Sequence, residues 1–139
     1  MLQVNRSGPA TGAATYDIYT QLGGDAGGQA AFTALTDAFY SGIESDSVLR
    51  PMYPDDLTEG RDNLLRFLVQ FFGGPAAYAE KRGAPRLRIR HAPFAIGEAE
   101  RDAWLRHMNA ALDTVPAFAP YAETMRAYFA NAAHFLQNR

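Results

Sequence analysis

Apolar residues recur along this chain at spacings of three and four, the period of a helix with one buried face. Phe32, Leu35, Phe39 and Ile43 follow that rhythm, and Tyr40 widens the stripe. The spacing predicts a long helix that begins after Gly27-Gly28 and breaks at Ser45-Asp46-Ser47. Val48 to Tyr53 reads as a short helical turn stopped by Pro54. A second long helix starts at Asp55-Asp56-Leu57-Thr58, carries Leu64, Phe67, Leu68 and Phe71 on its apolar face, and ends at Gly73-Gly74-Pro75. Glycine permits the left-handed exit there, and proline cannot continue the hydrogen-bond ladder. Gly83 and Pro85 leave room for at most a short helix and a loop over residues 76–90. A third long helix opens at Gly97-Glu98-Ala99-Glu100, where acids meet the positive end of the helix dipole. It aligns Trp104, Met108, Ala111, Leu112 and Val115. Pro116 and Pro120 punctuate the chain before a last helix with Tyr121, Met125, Tyr128, Phe129, Ala132 and Leu136 on one face. No alternating stretch is long enough for a strand and no segment repeats, so the pattern predicts an all-α fold.

Composition narrows the class. A chain of 139 residues with 47% hydrophobic and 12% aromatic content can bury one substantial core, as a single domain. A formal net charge of −2 gives no overall positive field to recruit nucleic acid. With no cysteine there is neither a disulfide framework nor a thiolate metal site, which suits a reducing cytoplasm. No segment approaches a membrane span, and the first fifteen residues lack the apolar run of a signal peptide. Residues 1–15, rich in small residues, Gly, Pro and Thr, read as a flexible leader; residues 16–139 read as the domain.

The densest chemistry lies in Arg86-Leu-Arg-Ile-Arg-His91-Ala-Pro-Phe94, where a basic run ends on one of only three histidines. The only tryptophan, Trp104, follows on an amphipathic helix. A histidine at that distance from an indole suggests an axial haem ligand beside an indole-walled pocket. The alternative is a surface or core histidine without a metal, the commoner use of an isolated histidine. His107 sits at the edge of an apolar face and His134 beside Phe135; both read as non-ligands.

Several of these segments stand together in one order. Leu22-Gly-Gly24, Phe39-Tyr40, Val48-Leu-Arg-Pro-Met-Tyr53-Pro54, Phe72-Gly-Gly-Pro75, Tyr78, Lys81-Arg82-Gly83, Pro85 through Phe94, and Arg101-Asp-Ala-Trp104-Leu105 resemble the truncated hemoglobins of group II. The resemblance runs from about Tyr16 to the C-terminal helix. It implies a globin-like two-over-two helical sandwich with a shortened proximal helix region. It implies haem b as cofactor, with His91 as the proximal iron ligand and the sixth position open. Tyr40, Tyr53 and Trp104 match the family's distal polar trio, two phenols and an indole N–H that can donate to a bound diatomic ligand. Buried aromatics whose polar tips find backbone partners are the competing use of such residues. Gly60 falls where other globins carry a distal histidine.

Phe39, Leu64, Phe67, Leu68, Phe94, Ile96 and Met108 are then the expected apolar haem contacts. Tyr78, Arg86 and Arg90 are the candidates for the haem propionates, since arginine pairs carboxylates bidentately. The implied function is reversible binding of O2 and other diatomics at a five-coordinate haem, with redox chemistry on nitric oxide or peroxide open to it. No reductase domain is encoded in these residues, so a nitric-oxide dioxygenase or peroxidase-like turnover would need an external electron donor. The rival reading is a non-haem helical module that binds a protein partner through an aromatic groove.

Overall fold

The computed structural model describes residues 17–139. The leader expected at residues 1–15 lies outside the described residues. Every regular element among the described residues is a helix: α1 (Ile18–Gln21), α2 (Gly24–Glu44), α3 (Thr58–Phe71), α4 (Ala77–Arg82), α5 (Leu87–His91), α6 (Glu98–Asp113) and α7 (Ala122–Leu136). Two 3-10 turns, Arg50–Met52 and Pro116–Tyr121, link them. The long helices form two pairs, α2 with α3 and α6 with α7, and the pairs stack where α2 packs on α6. Short α4 packs on α3, and short α5 on α7.

The apolar stripes explain this arrangement. Phe32, Leu35, Phe39 and Ile43 of α2 are all buried, as are Phe67, Leu68 and Phe71 of α3 and Met125, Tyr128, Phe129 and Ala132 of α7. Phe32 sits at the centre, stacked on Phe72 and edge-on to Phe118. Each such phenylalanine contributes about 1.5–3 kcal/mol by leaving water. No helix among the described residues is long and apolar enough to cross a membrane.

The structure departs from the pattern-based expectations at α2. This helix starts at Gly24 and runs through Gly27-Gly28, which the sequence pattern places ahead of it. Both glycines serve close packing. A Cβ at Gly27 would lie 2.0 Å from the Leu22 carbonyl oxygen, and one at Gly28 would lie 2.4 Å from that of Tyr19. The segment before α2 folds back as α1 against this smooth backbone. Val115 and Tyr121, aligned by the pattern with the faces of α6 and α7, fall just outside them, because α6 ends at Asp113 and Tyr121 closes the 3-10 turn set by Pro116 and Pro120. Helix α3 follows Asp56, whose carboxylate accepts the Thr58 N–H, and the Gly97 N–H donates to Glu100 at the start of α6. Residues 76–90 contain no long helix: α4 stops at Arg82, before Gly83 at φ +75°, and α5 is a single turn.

Candidate functional site

His91 closes α5, a turn that begins after Pro85 with Arg86 in the left-handed region at φ +44°. Its Nδ1–H donates to the Leu87 carbonyl at 2.6 Å. A carbonyl only accepts, so this bond fixes the tautomer and leaves Nε2 with its lone pair. Among the described residues Nε2 has no partner, and no group of three or more His, Cys, Asp or Glu is placed to hold a metal ion.

Two devices hold this segment. Arg90 donates from Nε to the Pro85 carbonyl at 2.8 Å and from Nη2 to that of Arg82 at 2.9 Å, which fastens α5 to the end of α4. Asn138, near the C-terminus, receives the Ile96 N–H at 2.9 Å and donates to the Phe94 carbonyl at 2.9 Å. It straps down the loop that follows His91. Phe94 remains 43% exposed and Ile96 is half-buried, so both sit at an apolar surface that the protein itself leaves partly uncovered.

Tyr40, Tyr53 and Trp104 come together on one aromatic cluster. Tyr40 is 7% exposed; the other two are half-buried. Rings run edge to face from Tyr53 to Tyr40 at 5.8 Å, Tyr40 to Phe39 at 5.4 Å, Phe39 to Trp104 at 5.4 Å and Trp104 to Phe129 at 5.9 Å. Tyr53 owes its place to Arg50, whose guanidinium donates to the carbonyls of Tyr53, Pro54 and Asp55 at 3.0–3.2 Å. Among the described residues neither phenol nor the indole N–H has a hydrogen-bond partner. Burial and the neighbouring Tyr53 push the Tyr40 phenol far above its ordinary pKa. Burial pushes Tyr53 up to about 12. Both are therefore neutral donors at physiological pH.

Gly60 abuts this cluster: a Cβ there would lie 3.0 Å from the Tyr40 hydroxyl. Outside it, a solvent-open depression of about 510 Å3, lined by Asp37, Ser41, Glu44, Asp55 and Arg61 among others, reaches Tyr40.

The remaining predicted residues divide. Phe67 meets Tyr78 edge-on at 5.6 Å, and the Arg90 guanidinium lies 6.0 Å from the Tyr78 ring. Leu68 and Met108 are fully in the core, and Leu64 is half-buried against it. The Arg86 side chain is exposed, with no hydrogen bond or ion pair among the described residues. Arg88 lies over the Phe135 ring and donates to its carbonyl. His134 is exposed, whereas His107 is bound to Asp46. Arg50, Asp46 and Asn138 escape sequence reasoning. Arg50 acts through backbone carbonyls, which leave no residue-type signature, and Asn138 reaches across more than forty residues.

The molecule has relatives. The family model for bacterial-like globins matches residues 17–138. The group 2 truncated hemoglobin YjbI of Bacillus subtilis is 43% identical over 88 residues, 63% of this chain and 67% of that protein. The crystal structure of a hemoglobin from the thermophilic phototrophic bacterium Chloroflexus aurantiacus matches with a TM-score of 0.82 at 48% identity, covering 88% of this chain and 98% of that one. A truncated oxygen-avid haemoglobin from Bacillus subtilis matches at 0.79 and 34% identity, covering 88% and 99%.

Proposed function

The chain belongs to the bacterial-like globins as a group II truncated hemoglobin, a haem protein for diatomic ligands, and we propose that it binds oxygen at a five-coordinate b-type haem held by His91. The observation that carries this reading is the trio Tyr40, Tyr53 and Trp104: three polar groups on one aromatic cluster, with no hydrogen-bond partner of their own among the described residues. Three donors that converge on one cluster, and that the protein itself does not engage, are available to a bound ligand.

Haem supplies, when bound, an iron with one open coordination position for a diatomic ligand. His91 offers Nε2 to the metal, while its Nδ1–H bond to Leu87 keeps the ring oriented and makes Nε2 more basic. A single imidazole suits iron that arrives with its other ligands already in a macrocycle. Phe39, Leu64, Phe67 and Met108 exclude water, with Phe94 and Ile96 on the His91 loop. Arg86 is the better propionate partner of the two arginines, because Arg90 is committed to carbonyls. Tyr78 borders the same edge through Arg90. Family membership displaces the reading of the aromatic groove as a non-haem interaction module.

Tyr40, Tyr53 and Trp104 donate toward a ligand that carries partial negative charge, and a water-poor pocket strengthens each bond. Three such donors slow oxygen release. That favours redox chemistry on nitric oxide or peroxide, or sensing, over bulk delivery; turnover would draw electrons from an external reductase. One similar protein is described as oxygen-avid, in line with slow release. A cysteine-free chain suits the reducing cytoplasm, where we place it.

Oxygen and carbon monoxide release from Tyr40→Phe and Trp104→Phe test the reading. A neutral hydrogen bond contributes about 0.5–1.5 kcal/mol, so each loss should speed oxygen release roughly 2- to 13-fold. Carbon monoxide, less polar when bound, should change less. Oxygen release at the parent rate in both variants would make these residues packing only. Equal acceleration of both gases would make them steric gates.

A further inference from the structure

One carboxylate stands between the two parts of the chain that carry distal donors. Asp46 follows the end of α2, and its side chain is only 7% exposed. Its Oδ1 accepts the N–H groups of Val48 at 2.8 Å and Leu49 at 2.9 Å, which starts the 3-10 turn leading to Tyr53. Its Oδ2 receives His107 Nε2 at 2.6 Å and Arg106 Nη2 at 3.1 Å, both on α6. Helix α6 also carries Trp104, one turn before His107.

The contact continues on α2. The His107 ring lies against Gly42, where a Cβ would come within 2.4 Å of Nδ1. Three residues earlier on each helix, Phe39 meets Trp104. Residues three apart share a helix face, so Gly42–His107 and Phe39–Trp104 are two rungs of one helix crossing. On the loop side the Asp46 carbonyl accepts the Arg50 N–H, and the Arg50 guanidinium holds the carbonyls of residues 53–55. The bonds from His107 and Leu49 hold the Asp46 carboxyl well below the usual carboxylate range, so it stays ionised across physiological pH.

We infer that Asp46 and His107 are positioning residues for oxygen selectivity: their bridge sets Tyr53 and Trp104 relative to each other without either residue touching the ligand. This rests on the reading of the distal trio given above. Charge-assisted bonds to a mostly buried carboxylate are stronger than neutral ones and stronger than exposed pairs such as Arg61–Asp37, which joins α2 to α3, so this bridge can govern the α2–α6 crossing.

Asp46→Asn tests it, because the amide oxygen still accepts the Val48 and Leu49 N–H groups while the charge toward α6 is lost. His107→Gln retains a donor of similar reach, and His107→Ala removes it. In the full-length, haem-loaded protein, Asp46→Asn and His107→Ala should keep the parent haem content. They should release oxygen roughly 2- to 10-fold faster, the scale of one distal hydrogen bond loosened, with carbon monoxide release little changed. The double variant should be no faster than the faster single variant, and His107→Gln should restore much of the parent rate. The indole N–H of Trp104, the chain's one tryptophan, gives a single NMR resonance, which should shift in Asp46→Asn and return in His107→Gln. An unchanged ratio of oxygen to carbon monoxide release in haem-loaded Asp46→Asn and His107→Ala overturns the inference. If Asp46→Asn does not fold, His107→Ala and His107→Gln decide by the same ratio. If the parent takes up no haem, the reading of the pocket fails separately, and an unmoved Trp104 resonance then overturns the positioning claim by itself.

Discussion

Tyr40 is buried and Tyr53 half-buried, neither phenol has a partner among the described residues, and desolvation acts against their ionisation. Their folded pKa values lie above the ordinary value of about 10, with Tyr53 at about 12. The stability they contribute is therefore complete below about pH 10 and is lost as pH rises from there through the folded values. In a phenolate absorbance titration, Tyr40 and Tyr53 should ionise only above the ordinary range, together with alkaline unfolding. A single step near pH 10 with the fold intact would contradict this placement. At this scale the sequence was informative where a residue type is rare. A single tryptophan and a histidine after a basic run stand out. Asp46 does not, because an aspartate after a helix reads as a local cap and its partner on α6 lies 61 residues away.

Among the helices, the long ones were legible because each buries one stripe, and burial imposes the period of three and four. Their ends were legible where glycine and proline stop a ladder, as at Gly73-Gly74-Pro75. The start of α2 was not. Gly27 and Gly28 look like breakers, yet they lie inside the helix because α1 packs onto bare backbone. Gly28→Ala should consequently destabilise the protein by about 1–3 kcal/mol, the usual cost of overpacking, although alanine is the better helix former. Urea denaturation measures this directly, and an unchanged or raised midpoint would mean that α1 is free to move away. The Arg86–Arg90 run alternates in sequence like an edge strand but folds as one helical turn, entered through the left-handed Arg86. Two prolines confine it, and the Arg90 bonds to loop carbonyls close it.

Two stacked pairs of helices carry an aromatic cluster with donors that no other described residue engages, and a short turn presents His91 with one nitrogen unpartnered among the described residues. The all-helical class follows from the apolar pattern, whereas the two-over-two sandwich and the globin family were legible only through the ordered motifs from Leu22 to Trp104 and their resemblance to a known family. What the pattern did not contain is the long-range bracing by Asp46 and Asn138, which joins residues with no common periodicity, and the hold of Arg50 on nearby backbone carbonyls. The most direct test of the central claim is a haemin titration followed in the Soret region for the parent, His91→Ala and His134→Ala. Iron on His91 predicts one tightly held haem per chain in the parent and in His134→Ala, and loss of tight retention in His91→Ala. A parent that stays colourless, or a His91→Ala variant with the parent's haem content and spectrum, would contradict it.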